Sequence, residues 1–170
     1  AKQPYMSEIE AALLLTDIPV IAITGTDGKS TTSAMIDHVL RSAQRRSVVC
    51  GNFGVPLSSI IAANKPLDFL VVEISAFQLW STNVFRPCVA LITNIAEDHL
   101  EYFDHSLEAY RNAKLRIFRD METGSIVVRQ DLTVDLSDAI PEAVTRQSFD
   151  VNDQRADWHL DGEQLLSRSG

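Results

Sequence analysis

The sequence predicts an α/β protein: a mostly parallel sheet flanked by helices, carrying a P-loop, with a small antiparallel annex near the C-terminus. Three observations predict it. Short apolar runs alternate with helix-patterned segments, the order that builds a parallel sheet. A glycine-rich turn, Thr24-Gly25-Thr26-Asp27-Gly28-Lys29-Ser30-Thr31-Thr32, separates the first apolar run from the next helical segment. Unusual polar residues stand at the ends of four successive strand-like runs, where open α/β sheets bind their ligands.

Ser7-Glu8-Ile9-Glu10 has the form of a capping box and opens a short helix through Leu15. Ile18 to Thr24 is the first strand. Ser33 to Ala43 is helical, with Met35, Ile36, Val39 and Leu40 at helical spacing. Val48 to Cys50 is a second strand and Leu57 to Ala63 a helix. Phe69 to Ile74 and Val89 to Thr93 are the third and fourth strands. Ser106 to Arg119 is a long helix, and Ser125 to Val128 a fifth strand. From about Asp131 the segments turn short and polar, as in Trp158-His159-Leu160 and Gln164-Leu165-Leu166. The expected division is a parallel core over about 16–130 and the annex over about 131–170.

A chain of 170 residues, 45% hydrophobic, has the material for one domain with a substantial core. The net charge of −8 and the lack of a basic stripe argue against nucleic-acid binding. No apolar run is long enough to cross a bilayer, and no secretory signal pattern stands at the start, so a cytoplasmic location without membrane partners is expected. Cys50 and Cys88 are far apart and lack metal-site spacing; reduced, buried thiols are expected. The segment reads as part of a longer protein.

The turn carries the chemistry. Strand, glycine-rich loop, Lys-Ser, helix is the layout of a phosphate-binding loop. Gly25 and Gly28 let the backbone curl so that its N–H groups face an anion, and the helix N-terminus adds partial positive charge. Lys29 is placed to reach the outer phosphates, and Ser30 to hold Mg²⁺ through its hydroxyl. Ile23 stands where the longer P-loop pattern has glycine, so this is the shorter G-x-x-G-K-S form.

Glu73 ends the third strand as the acid of a Walker-B-type strand does, a position suited to Mg²⁺. Gly51-Asn52 ends the second strand, and Asn94 with Asp98-His99 follows the fourth. His99 is a candidate second metal ligand or a structural histidine; His38, His105 and His159 read as surface or packing residues. Lys114 lies mid-stripe among Leu107, Tyr110, Ile117 and Phe118. Its pattern favours a snorkelling side chain, with a lysine held at the site as the sharper alternative.

Gly25 to Thr31, Asn94 through Asp98-His99-Leu100, and Tyr110-Arg111-Asn112-Ala113-Lys114 together resemble the Mur ligases, ATP-dependent enzymes that add amino acids to the peptidoglycan precursor. Gly51-Asn52-Phe53-Gly54 and Glu73-Ile74-Ser75-Ala76-Phe77-Gln78-Leu79 are most similar to the members that add D-glutamate to UDP-N-acetylmuramoyl-L-alanine. The resemblance implies an acyl-phosphate reaction yielding ADP and phosphate. It implies ATP bound by Gly25, Thr26, Asp27, Gly28, Lys29, Ser30 and Thr31. One Mg²⁺ would sit at Ser30 and Glu73, and a second at His99 and a carbamylated Lys114. Asn52 and Ser75 would approach the UDP-sugar, and Asn94 would support the site. Lys29, His99 and Lys114 would carry catalysis.

The resemblance also implies that this is a partial central ATPase domain, inactive alone, with N-terminal UDP-binding and C-terminal domains outside the sequence. Three departures stand out: Asp27 for the commoner Asn, expected to face away from the anion; Ala76 for Ser; and Glu101-Tyr102, where Tyr102 is closer to the diamino-acid-adding relatives. Rival readings are another P-loop NTPase and a non-catalytic nucleotide-binding module. Asn64-Lys65-Pro66-Leu67-Asp68 has the wrong spacing for a guanine-reading motif.

Overall fold

The computed structural model describes residues 6–132 and 140–168. Its strands are β1 (Val20–Thr24), β2 (Ser47–Gly51), β3 (Phe69–Glu73), β4 (Val89–Ile92), β5 (Gly124–Arg129), β6 (Val144–Asp150), β7 (Trp158–Asp161) and β8 (Gln164–Ser167). The helices are α1 (Glu8–Leu13), α2 (Lys29–Ser42), α3 (Leu57–Ala62), α4 (Ala76–Ser81) and α5 (Leu107–Leu115). The strands form one sheet in the order β2-β3-β1-β4-β5-β6-β7-β8. Every pairing is parallel except β7 with β8.

The expected antiparallel annex is thus the β7–β8 hairpin. β6, in the same stretch, has no counterpart in the sequence reading: Thr145, Arg146 and Gln147 are exposed and hide its strand pattern, yet it runs parallel to β5 from Gly124↔Val144 to Arg129↔Phe149.

β1 lies between β3 and β4, so the chain winds one way through β2 and β3, then crosses to β4 on the other side. That reversal opens a crevice beyond the carboxyl end of β1. Side chains alternate across the sheet. Val20 and Ala22 join the main core with Ile9, Leu57, Leu79, Ile117 and Phe118, which places α1, α3, α4 and the end of α5 on one face. Ile21, Ile23 and Val71 face the other way, against Ile36 and Leu40 of α2.

α2 begins at Lys29 rather than at Ser33. Ser and Thr are weak in helix interiors, but Gly28 in the left-handed region (φ 81°) turns the chain directly from loop into helix. α5 keeps its expected start, capped by Ser106 Oγ accepting from Ala109 N at 3.1 Å, and tightens into a 3₁₀ turn over Arg116–Phe118. Of its predicted apolar stripe, Tyr110, Lys114, Ile117 and Phe118 are buried, whereas Leu107 is exposed. α4 was not legible from periodicity. It has six residues and is set by a full capping box between Ser75 and Gln78.

The capping box expected at Ser7 is only half formed. Ser7 Oγ accepts from Glu10 N at 3.1 Å, but the buried Glu10 carboxylate turns away. It accepts from Asn83 N, Asn83 Nδ2 and Val84 N at 3.1, 3.2 and 3.2 Å, because those loop donors have no strand partner to satisfy them. Both cysteines are free; burial pushes the Cys50 thiol up to about 12. Among the described residues no helix is long and apolar enough to cross a membrane.

Glu10→Ala leaves the Asn83 and Val84 donors unpaired, and should lower unfolding free energy by about 1–3 kcal/mol in denaturant titration.

Candidate active site

Gly25 follows directly from β1 with φ 148°. A Cβ there would lie 1.8 Å from Thr93 Oγ1, so only glycine lets the loop pass this close to the end of β4. The loop is then latched. Thr26 N donates to the Asn94 carbonyl at 3.0 Å, and Asp27 N to Asn94 Oδ1 at 3.1 Å. Asn94 Nδ2 and Thr93 Oγ1 both donate to the Asp27 carbonyl, at 3.0 and 2.6 Å. Two N–H groups expected to face an anion are therefore spent on holding the loop. The donors left for an anion are those of the first turn of α2, which have no carbonyl of their own helix to bond. Asp27 itself is exposed.

Thr26 ties the loop to a third element. Its Oγ1 accepts from Ala96 N at 3.0 Å and stands 3.5 Å from the Tyr110 hydroxyl. Lys29 Nζ folds back over the loop, donating to the Gly25 and Thr26 carbonyls at 3.0 and 2.8 Å.

Glu73 is buried where β3 ends beside β1. Ser30 Oγ donates to one carboxylate oxygen at 2.7 Å and Asn52 Nδ2 to the other at 3.0 Å. The register explains it: Glu73 pairs with Ile23 and Gly51, so its side chain shares the sheet face under α2, where Ser30 stands in the first turn of the helix. Asn52 follows β2, held by its own N–H on the Glu73 carbonyl at 2.8 Å.

Lys114 does not snorkel. It is 1% exposed, its Nζ donates to the Gly25 carbonyl at 2.7 Å, and it lies 4.4 Å from the centre of the Tyr110 ring. Burial, and then the like charge of Lys29, pull its pKa down to about 7. The α5 stripe aims it inward because the sheet end it covers presents the loop carbonyl rather than solvent.

A cleft of about 160 Å³ joins these groups, lined by Lys29, Asn52, Ser75, Ala76, Phe77, Asp98, His99, Tyr110 and Lys114. His99 takes a left-handed backbone (φ 53°), with Nε2 3.5 Å from an Asp98 oxygen and its ring 5.9 Å from that of Phe77. Ser75 lines the cleft while its Oγ caps α4, accepting from Gln78 N at 3.3 Å. Asn94 sits behind the loop, its amide engaged by Asp27. Of the sequence candidates, Lys29, Asn52, Ser75, His99 and Lys114 thus share one cleft, with Ser30 and Glu73 bonded at its edge.

Thr93 is not among the sequence candidates, and Tyr110 enters there only as a residue of the apolar stripe and the Tyr110–Lys114 segment, without a site role. Thr93 adjoins Asn94, and Tyr110 is four residues before Lys114 on the same helix face; that spacing was the available signal.

Among the described residues no three His, Cys, Asp or Glu side chains form a metal cage. A hydroxyl beside one carboxylate at a helix N-terminus suits Mg²⁺ instead, which keeps few protein ligands and takes the rest from phosphates and water.

The family model of the Mur ligase middle domain matches residues 23–166. The chain belongs to the Mur ligase family. It is 43% identical over 146 residues to the UDP-N-acetylmuramoylalanine–D-glutamate ligase of Salinibacter ruber, covering 83% of this chain and 32% of that protein. The ligase of the same name from Streptococcus mutans is 36% identical over 165 residues, 95% of this chain and 36% of that protein. The chain therefore spans about a third of the length of these relatives.

Among solved structures, a UDP-N-acetylmuramoyl-L-alanyl-D-glutamate–2,6-diaminopimelate ligase matches with TM-score 0.74 and 22% identity, over 95% of this chain and 40% of that one. E. coli FolC with DHPP and ADP matches with TM-score 0.69 and 17% identity, over 100% of this chain and 53% of that one. At these identities the likeness establishes the fold, which Mur ligases and FolC share.

The depressed Lys114 pKa carries a stability consequence. Between pH 7 and 10.5 the unfolded chain holds a proton that the folded chain has lost, so Lys114 destabilises most below pH 7 and its penalty fades as pH rises. In bicarbonate-free buffer, Lys114→Met should stabilise the fold near neutral pH by up to a few kcal/mol and flatten that rise in chemical denaturation.

Proposed function

We propose that this chain is most of the central nucleotide-binding domain of a Mur ligase that uses ATP to join D-glutamate to UDP-N-acetylmuramoyl-L-alanine. The observation that carries the reading is the convergence of Lys29, Ser30–Glu73 and Lys114 on a phosphate loop between β1, β3 and β4, in a chain whose relatives bear that enzyme's name. The partial cover of the sheet supports the domain assignment. α2 packs on β1, β2 and β3, and Val89, Leu91 and Val127 beyond it remain partly exposed, although parallel strands are ordinarily covered on both faces. The N-terminal UDP-binding and C-terminal domains of such an enzyme would supply the rest of the site, working on cytoplasmic ATP.

The reaction runs in two displacements. The alanyl carboxylate attacks the γ-phosphorus of ATP and ADP leaves; the D-glutamate amine then attacks the acyl carbon and phosphate leaves. The first-turn N–H groups of α2 and Lys29 hold the phosphates, Lys29 exchanging its loop carbonyls for phosphate oxygens. Ser30 and Glu73 would hold Mg²⁺, with Asn52 steadying the carboxylate. The chemistry Mg²⁺ would supply there is neutralisation of charge on the transferring phosphoryl group. His99 and Lys114, which share the cleft, would hold a second ion once Lys114 is carbamylated. In that reaction the neutral amine forms an N–C bond to CO₂ and releases a proton, so a cation becomes an anionic oxygen ligand. Asn52 and Ser75 face the sugar substrate.

A second reading, a relative adding a diamino acid, is favoured by one residue. Tyr102 packs edge-on to Phe77 of the cleft, ring centres 5.4 Å apart.

The intact protein, given ATP, Mg²⁺ and UDP-N-acetylmuramoyl-L-alanine, should release phosphate with D-glutamate but not with meso-diaminopimelate, L-lysine or L-glutamate. Lys29→Ala should lower that rate by about 100-fold or more. Release with a diamino acid would move the assignment to the second reading; no release with any would contradict the ligase assignment.

A further inference from the structure

Thr24, the last residue of β1, is fully buried, and its hydroxyl has no hydrogen-bond partner. Its backbone is satisfied: the carbonyl accepts from Thr93 N at 3.0 Å and Thr93 Oγ1 at 3.3 Å. A buried orphan hydroxyl costs free energy, and a valine would fill the same space without that cost. Strand alternation puts Thr24 on the face of Val20 and Ala22, which packs against the segment after α5, and its sheet neighbour Ile92 lies in that same cluster. Glu73 and Ser30 lie on the opposite face. The next residue is Gly25, whose carbonyl receives the Lys114 ammonium at 2.7 Å. The ammonium can only donate, and Gly25 offers it an acceptor; a carboxylate oxygen on the same nitrogen needs a donor, and the orphan hydroxyl is one.

We propose that Thr24 is a positioning residue for the Lys114 carbamate, its hydroxyl donating to a carbamate oxygen and holding the other toward the metal. This rests on the carbamylation reading above. The hydroxyl plays no part in the N–C bond formation; it favours the product by pairing its charge and fixing its rotation.

The test uses intact protein equilibrated with ¹³C-bicarbonate, following the carbamate resonance by ¹³C NMR in wild type, Thr24→Val, Thr24→Ser and Lys114→Arg. Wild type should show a resonance that Lys114→Arg lacks. Thr24→Val should need roughly tenfold more bicarbonate for half-occupancy, as expected for a lost hydrogen bond to a charged group, and Thr24→Ser should stay within about threefold of wild type. In bicarbonate-free buffer, Thr24→Val should melt at or above the wild-type temperature. A wild-type resonance whose bicarbonate dependence is unchanged in Thr24→Val overturns the inference and leaves the carbamate reading intact. A clear loss of Tm for Thr24→Val without bicarbonate overturns it too, because the hydroxyl would then be paired within the unmodified fold. No resonance in wild type removes the carbamate reading and the inference with it.

Discussion

The Gly25 carbonyl accepts two ammonium groups, Lys29 Nζ at 3.0 Å and Lys114 Nζ at 2.7 Å, which arrive from helices on opposite faces of the sheet. Burial and the like charge of Lys29 pull the Lys114 pKa down to about 7, and the backbone beneath the pair is held in place. Thr93 blocks any side chain at Gly25, and Asn94 takes both the N–H and the carbonyl of Asp27. Packing on both sheet faces thus fixes the two lysine nitrogens on one loop carbonyl.

The topology makes this possible at small cost. A chain that winds from β1 outward to β2, returns to β3 and crosses to β4 brings three strand ends together without a long loop. Each end supplies one function: β1 the loop, β3 the carboxylate, β4 the latch. The parallel register places Glu73 on the face of Ile23 and therefore under Ser30, and strand alternation places Thr24 on the face that packs against the segment after α5. One residue's difference in register would exchange the two sides. The Ser30–Glu73 pair and the Thr24 side chain thus lie on opposite faces of the sheet.

Much of this was legible in the sequence because it is local. Strand, Gly-x-x-Gly-Lys-Ser and helix are contiguous, and an acid at the end of the apolar run Leu70–Val72 announces itself. The role of Lys114 was visible as an anomaly, a cation in an apolar stripe, but its target lies 89 residues away; snorkelling was the better guess without it. Ser7–Glu10 misled because a capping box and a half-box share one pattern, and only the fold reveals that Asn83 and Val84 compete for Glu10. α4 and β6 were hidden for opposite reasons: α4 is too short for periodicity, and β6 is too polar at its exposed residues. The Thr24 hydroxyl has no sequence signal, since threonine is ordinary in a strand and its missing partner is a property of the packed structure.

The most direct test of the account is the magnesium dependence of nucleotide binding to the intact protein, measured by calorimetry with a non-hydrolysable ATP analogue. Mg²⁺ should tighten binding in the wild type, and Glu73→Gln should remove most of that gain while leaving the metal-free affinity nearly unchanged, because Lys29 and the helix N-terminus do not involve Glu73. An undiminished Mg²⁺ effect in Glu73→Gln would contradict the assignment of the Ser30–Glu73 pair as the metal end of a phosphate site.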